Sequence, residues 1–363
     1  MAMATPRTWI LASPHAGDNS QLFALADALG WPYETKRLVY RQSEGLLRFL
    51  GQATLAALSR ESLDKIMPPF PDLIIAAGRA SEAIASWIRK FGNRDARLVF
   101  IGTPWGDLDG FDLVIATPQY ALARRTNVLM NSLPLHGVHA EALTAAAQSW
   151  RPRLQHLPRP WTAVLVGGSS GPYVFDQASA ERLGRDVSQL AQKRGGALLV
   201  STSARTGLRA SRTLATAIDV PSYHYHWASD GSDNPYLAFL ALAERIVVTA
   251  DSISMISEAS ATGKPVLLFD IETGRQSMRA EESEAGILPA PHWQGRTPGA
   301  TAFRLAMRFG PPRWSRDLRI VHRNVVSAGR ANWLGDPSVA KPPALPPTDL
   351  RHAVARVQAL FKP

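Results

Sequence analysis

The sequence predicts an α/β protein built from two Rossmann-like lobes, each a parallel sheet wrapped by helices. Three observations lead there. Short β-branched runs alternate with helical stretches; the alternation breaks at a segment rich in Pro and Arg and then restarts; and 363 residues with 45% hydrophobic content suit two cores better than one.

The first series opens with TWILASP, continues through a helix over about Asn19 to Leu29, and then runs through ETKRLVY, PDLIIAAG, RLVFIG and FDLVIATP. This alternation is the signature of βαβ units on a parallel sheet. HAEALTAAAQSW is helical, and RPRLQHLPRPW behind it lacks periodicity, so 1–150 is assigned to an N-terminal lobe and 151–160 to a linker.

The second series, WTAVLVGGSSG, GALLVSTSA, PSYHYHW, ERIVVTA and KPVLLFD, is interleaved with helical patterns such as SAERLGRDVSQLAQKRG and SISMISEASATG; it defines a second lobe over 161–335. Helical stretches near Thr301 to Phe309 and Ser315 to Val326 precede the loop GDPSVAKPPALPPTD. The remaining segment, 336–363, is this loop and a terminal helix, DLRHAVARVQALF, with Asp349 as its expected N-cap and a course back to the first lobe. Open sheets of this kind bind ligands beyond the carboxyl ends of their strands, so the two lobes are expected to face a shared cleft.

Composition removes several classes of function. Cysteine is absent, which excludes disulfides, thiolate-bound metals and thiol nucleophiles, and the nine histidines show no HExxH-type spacing, so no metal site is expected. The net charge of +10 is carried mostly by scattered Arg, without an RNP, helix-turn-helix or zinc-finger pattern; no nucleic-acid partner is expected, and phosphates or anionic lipid remain. No run approaches the roughly 20 apolar residues that cross a bilayer, and the first residues read as a strand, so a cytoplasmic protein is expected.

The most informative stretch is DNPYLAFLALAERIVVTADSISMISEASATGKPVLLFD. Its strand ends at Asp251 and Ser252, and its helix carries Ser254, Ser257 and Glu258. Asp251 is placed to cap that helix; Ser252 and Ser254 sit where unpaired N–H groups and the helix dipole attract a diphosphate, and Glu258 can accept from sugar or ribose hydroxyls. An ordinary capped helix closed by Gly263 accounts for the same residues. Gly167, Gly168, Ser169 and Ser170 form a small, donor-rich loop that can cradle phosphate or serve as a plain tight turn. Arg205, after the next strand, can pair with a phosphate or lie solvated.

Residues 167–171 also fit GxSxG, with Ser169 as nucleophile and Asp270 and His292 in the right chain order for an α/β hydrolase, although Pro172 and Tyr-Val-Phe do not resemble the helix that must start directly behind such an elbow. GxGxxG is absent, and Gly263-Lys264 is followed by Pro265 and a strand, so neither a nicotinamide site nor a P-loop is expected.

In the first lobe His15, Asp18, Asn19 and Gln21 occupy the first strand-to-helix turn, where His15 or Asp18 can deprotonate an acceptor hydroxyl, and a helix cap is the competing role. Gly78 and Arg79 form a second turn on the same side, with Arg79 available to an acceptor phosphate. KRLVYRQSEGLLRFLGQATLAALSR mixes Arg with Leu, Phe and Tyr, a pattern that suits an anionic membrane surface or a helix packed on its own sheet.

DNPYLAFLALAERIVVTADSISMISEASATGKPV, with GGSS, STSART, PDLIIAAGR and FDLVIATPQY, resembles the plant mitochondrial fission factor family called elongated mitochondria and its bacterial relatives of glycosyltransferase type, across both lobes. HAGDNSQ is a looser version of that family's first turn, and Ala204 stands where the family has the first of two Arg, which puts a paired-Arg phosphate clamp in doubt. The layout is more distantly similar to the N-acetylglucosaminyltransferase of peptidoglycan synthesis and to lipid A disaccharide synthase. The resemblance implies a GT-B fold and a metal-independent transferase. It assigns Gly168 and Ser169 to phosphate, and Ser252, Ser257 and Glu258 to a nucleotide sugar, UDP-linked in those relatives. A bacterial protein at the cytoplasmic membrane face, with a cell-envelope or lipid-linked acceptor and no other cofactor, is the expectation. The rival is a non-catalytic scaffold that keeps the fold and recruits a partner protein.

Overall fold

The structure, a computed structural model, describes residues 5–39, 54–56, 58–227, 233–274, 277–279, 297–310, 316–336 and 348–362. The chain divides into two compact units, Met1–Gly137 with Pro347–Pro363, and Val138–Pro346.

The first unit contains β1 (Thr8–Ala12), α1 (Ala16–Leu29), β2 (Tyr33–Arg37), α2 (Arg60–Leu63), β3 (Leu73–Ala77), α3 (Arg79–Trp87), β4 (Arg97–Ile101), β5 (Leu113–Ala116) and β6 (Val128–Met130). The second contains α4 (Ala140–Leu154), β7 (Trp161–Val166), α5 (Gln177–Gln192), β8 (Ala197–Thr202), α6 (Leu208–Ala217), β9 (Ser222–Tyr225), α7 (Tyr236–Leu242), β10 (Arg245–Thr249), α8 (Ile253–Ala261), β11 (Val266–Phe269), α9 (Pro298–Phe309), α10 (Leu318–Ser327) and β12 (Asn332–Trp333). The last helix, α11 (Asp349–Ala359), returns to the first unit.

Every strand pairing named among the described residues is parallel, and the inner strands are buried along their whole length apart from the exposed Arg97 that opens β4, as continuous apolar runs such as LIIAA and WTAVLV require. The edge strands β2 and β9 carry the polar, half-exposed sequences YETKR and SYHY. Strand order is β2-β1-β3-β4-β5-β6 in the first unit and β12-β11-β10-β7-β8-β9 in the second. The second is the dinucleotide-type Rossmann order, three strands to either side of the junction between β7 and β10; the first has its reversal between β1 and β3. The two-lobed Rossmann-like architecture expected from the sequence is thus observed in each unit.

Two cores flank the first sheet. On one face Ile10, Ile75, Val99 and Ile115 pack with Leu22, Leu25 and Leu29 of α1 and with Ala353 and Val357 of α11. On the other, Trp9, Leu11, Ile74 and Phe100 meet Ile84, Ala85 and Ile88. The terminal helix therefore crosses back to the first unit, as expected. Asp349 is not its N-cap, however: Thr348 holds that position, and the Asp349 carboxylate instead accepts from the Ser132 hydroxyl (2.6 Å) and the Ser132 and Leu133 N–H groups (3.2 Å each).

The boundary also departs from the expectation. The division falls at Gly137, not 150, and residues 151–154, assigned to a linker, complete α4. Pro152 forfeits one N–H near the helix end, and burial of Trp150 and Leu154 offsets this: Trp150 meets Tyr223 edge-on, and Arg153 forms a two-pronged pair with Asp233 at 2.6 Å. Most of the Arg-rich amphipathic segment, residues 40–53 and 57, lies outside the described residues. Among those described, no helix is long and apolar enough to cross a membrane.

Candidate functional site

In each unit the point where strand order reverses coincides with residues singled out in the sequence. In the second unit β7 ends in the loop Gly167–Ser170, and the neighbouring β10 ends at Asp251 and Ser252. The Gly167 N–H donates to the Thr249 hydroxyl (2.8 Å), which ties the loop to β10. Two glycines are required here. A Cβ on Gly167 would lie 2.4 Å from the Asp251 carboxylate; one on Gly168, at φ 133°, would lie 2.2 Å from the Arg205 carbonyl oxygen.

Asp251 does not cap α8. Its side chain is 0% exposed, packed on Gly167, and ion-paired with Arg205 at 2.9 Å, while neither carboxylate oxygen completes a well-aligned hydrogen bond. Burial raises its pKa, and Arg205, the Thr249 hydroxyl and the Gly168 N–H pull it back. Arg205 is correspondingly committed: besides Asp251 it donates to the Ser169 carbonyl at 3.2 Å, so its expected availability to phosphate is not what the structure displays.

Ser252 is the N-cap of α8 and makes no side-chain cap bond; Ser254, in the first turn, is half-buried and Ser257 is buried. The Ser169 hydroxyl accepts from the Phe175 N–H (3.1 Å), and the Ser170 hydroxyl from Arg316 (2.5 Å). No helix follows the loop until Gln177, so Ser169 does not sit on a nucleophile elbow. Asp270 accepts from the Ser277 hydroxyl and from the Glu272 and Met278 N–H groups, while His292 lies outside the described residues. Glu258 accepts from the buried Tyr236 hydroxyl at the start of α7, which joins the DNPY and SEA parts of the sequence signature; burial first, then the Glu258 charge, drives the Tyr236 pKa well above 10.

His322 carried no sequence signal beyond an apolar helix face. It is fully buried on α10, edge-on to Trp333, and its Nε2 contacts the Ala250 carbonyl at 2.6 Å, fixing the end of β10 beside Asp251. Burial lowers its pKa to about 4, so it is neutral and donates from Nε2.

In the first unit, β1 and β3 bring their two turns together. The Asp18 carboxylate accepts from the Ser13 hydroxyl (2.8 Å), and a Cβ on Gly78, φ 80°, would lie 3.2 Å from it. His15 is the N-cap of α1 without a side-chain bond to the helix. Asn19 is structural: its amide oxygen and nitrogen both bond the Ser13 backbone at 2.8 Å, closing its own turn. Gln21 donates to the Gly17 carbonyl at 3.4 Å. Arg79 opens α3 with its guanidinium 4.1 Å above the Trp105 ring. Glu82, unnoticed in the sequence, is buried one turn on and accepts from the Trp105 and Gly106 N–H groups at 2.8 and 2.7 Å; burial raises its pKa against those bonds and Arg79.

The family model for mitochondrial fission ELM1 matches residues 16–287. The chain belongs to the ELM1 family. Two relatives bear this out: an uncharacterised Rickettsia prowazekii protein, 27% identical over 72% of this chain and 82% of its own length, and the ELM1 fission protein of Arabidopsis thaliana, 28% identical over 58% of this chain and 53% of its own. The chain thus spans about half of the plant ELM1 protein. Among solved structures, the Methanocaldococcus jannaschii UDP-GlcNAc 2-epimerase in complex with UDP-GlcNAc and UDP is 12% identical, with 97% of this chain and 99% of that one covered at a TM-score of 0.49.

Proposed function

We propose that this ELM1-family chain is a metal-independent glycosyltransferase that takes a sugar from a nucleoside diphosphate sugar, UDP-linked, to a cell-envelope or lipid-linked acceptor at the cytoplasmic face of a bacterial membrane. The observation that carries the reading is the second unit's switch point. There a Gly-Gly-Ser-Ser loop and the N-terminus of α8, with Glu258 two turns further on, follow the adjacent strands β7 and β10 of a Rossmann-ordered sheet. In this reading the loop and the first turn of α8 (Ser252, Ser254) take the diphosphate, stabilising it as a leaving group, and Glu258, held by Tyr236, takes hydroxyls of the sugar or ribose. His15 or Asp18 is the proposed base, and Arg79 the proposed acceptor contact.

The test is calorimetry with a panel of nucleotides and sugar nucleotides against the wild type and Glu258→Ala. We expect binding of one nucleotide class and at least a tenfold loss in the variant, worth about 1.4 kcal/mol; no binding at all, or binding indifferent to Glu258, sinks the assignment. One observation favours a second reading, a scaffold that recruits a partner protein: Arg205, whose guanidinium reaches the Ser169 carbonyl of the Gly loop, is already paired with Asp251. A chain with Gly168→Asp that restores cellular function would decide for the scaffold.

A further inference from the structure

We propose that diphosphate binding to the second unit is proton-coupled: the ligand draws Arg205 away from Asp251, and Asp251 takes up one proton from solvent as the pair parts. The inference rests on the reading of the Gly167–Ser170 loop as a diphosphate site, and adds to it the charge state in which that site accepts its ligand.

The two partners differ in freedom. Asp251 is 0% exposed and wedged against Gly167, whereas Arg205 is 42% exposed at the tip of the loop after β8. An approaching anion can therefore attract Arg205 outward, but the carboxylate cannot follow it into water. Once the guanidinium turns to phosphate, Asp251 is left buried beside a second anion, with the Thr249 hydroxyl and the Gly168 N–H nearby but neither oxygen in a well-aligned hydrogen bond. A lone buried carboxylate in that position neutralises by protonation, and both Arg205 and the ligand keep their charges.

Among the described residues, Arg205 is the one cation ion-paired with Asp251. The Gly167–Ser170 loop contributes no titratable side chain, Arg316 is bonded to the Ser170 hydroxyl at its far end, the loop after β8 contributes Arg205, and the first turn of α8 offers neither acid nor base. Further along α8, Glu258 is bonded to Tyr236. From α10, His322 reaches the adjacent Ala250 carbonyl and is neutral above about pH 4. The direction of the Asp251 shift, upward by burial and restrained first by Arg205, agrees with a group whose ionisation depends on that one partner.

The bound-state pKa of Asp251 lies above its free-state value, so affinity is greatest below the free value and falls as pH rises between the two. The experiment is titration calorimetry of the full chain with inorganic pyrophosphate and with UDP. It is run between about pH 6 and 8.5 in two buffers of different ionisation heat, with Asp251→Asn in parallel to report the ligand's own titration. The expected result is uptake approaching one proton by the wild type beyond that of the variant. Wild-type Kd should rise up to tenfold per pH unit relative to Asp251→Asn, which binds at least about tenfold tighter near pH 8. Binding with no uptake by the wild type beyond that of Asp251→Asn, or beyond that of Arg205→Gln should the first variant not fold, overturns the proposal and leaves the donor reading standing. If neither pyrophosphate nor UDP binds wild type or variant, the donor reading falls as well.

Discussion

Gly168 is constrained twice, by a φ of 133° that L side chains avoid and by the Arg205 carbonyl standing where a Cβ would go. Gly168→Ala should therefore lower stability by about 2–3 kcal/mol, read from urea denaturation, and abolish nucleotide binding because the loop must move off the strand. His322 gives a prediction in pH. Its folded-state pKa of about 4 lies below the ordinary value of 6.5, so the unfolded chain binds the proton first, and stability is lost as pH falls through that window. Between pH 6.5 and 5 the loss from this residue should be about 1.5 kcal/mol, and His322→Gln should remove it from the urea-midpoint profile. Neither His322 nor Glu82 was legible in the sequence, because a polar side chain on an apolar helix face acquires its role only from a carbonyl or loop brought in by another strand. The Gly loop and the Ser252-to-Glu258 helix were legible, since each is a local pattern. The Asp251–Arg205 pair was not: its partners lie on different loops, and helix-capping logic alone makes Asp251 a cap.

Among elements, the strands and most helices follow from periodicity, whereas strand order and the ownership of α4 and α11 come from packing that no local window records. Arg-Pro at 151–152 reads as the end of a helix, yet Trp150 and Leu154 carry α4 onto the second unit. The join between α7 and α8 is testable directly. Tyr236→Phe removes the hydroxyl that Glu258 accepts from and should cost about 1–2 kcal/mol of stability. If Glu258 needs that bond to meet the ligand, nucleotide affinity should fall in Tyr236→Phe by a smaller factor than in Glu258→Ala. For α11, Asp349→Ala releases three hydrogen bonds to Ser132 and Leu133, and the melting temperature should drop with a stability loss of about 1–2 kcal/mol.

At the scale of the molecule, separate sheets and cores predict that a nucleotide sugar acts locally. Hydrogen exchange with saturating UDP-sugar should slow in the loops at 167–170 and 203–206 and in α8, and a ligand at one hundred times its Kd should add about 2.7 kcal/mol to the stability of the second unit. Protection confined to the first unit would contradict the donor assignment. The return of α11 to the first unit has a bearing on how the chain is made. The β1–β6 sheet leaves the ribosome first, but the helix that covers Leu22, Leu25 and Ile115 is separated from it by the whole of the second unit. At roughly 5–20 residues per second, about 200 residues pass before α11 emerges, so for some tens of seconds the earlier-born unit waits with an uncovered apolar face. The unit translated second is the first able to finish folding, and the nascent first unit is the part of this chain that most needs a chaperone.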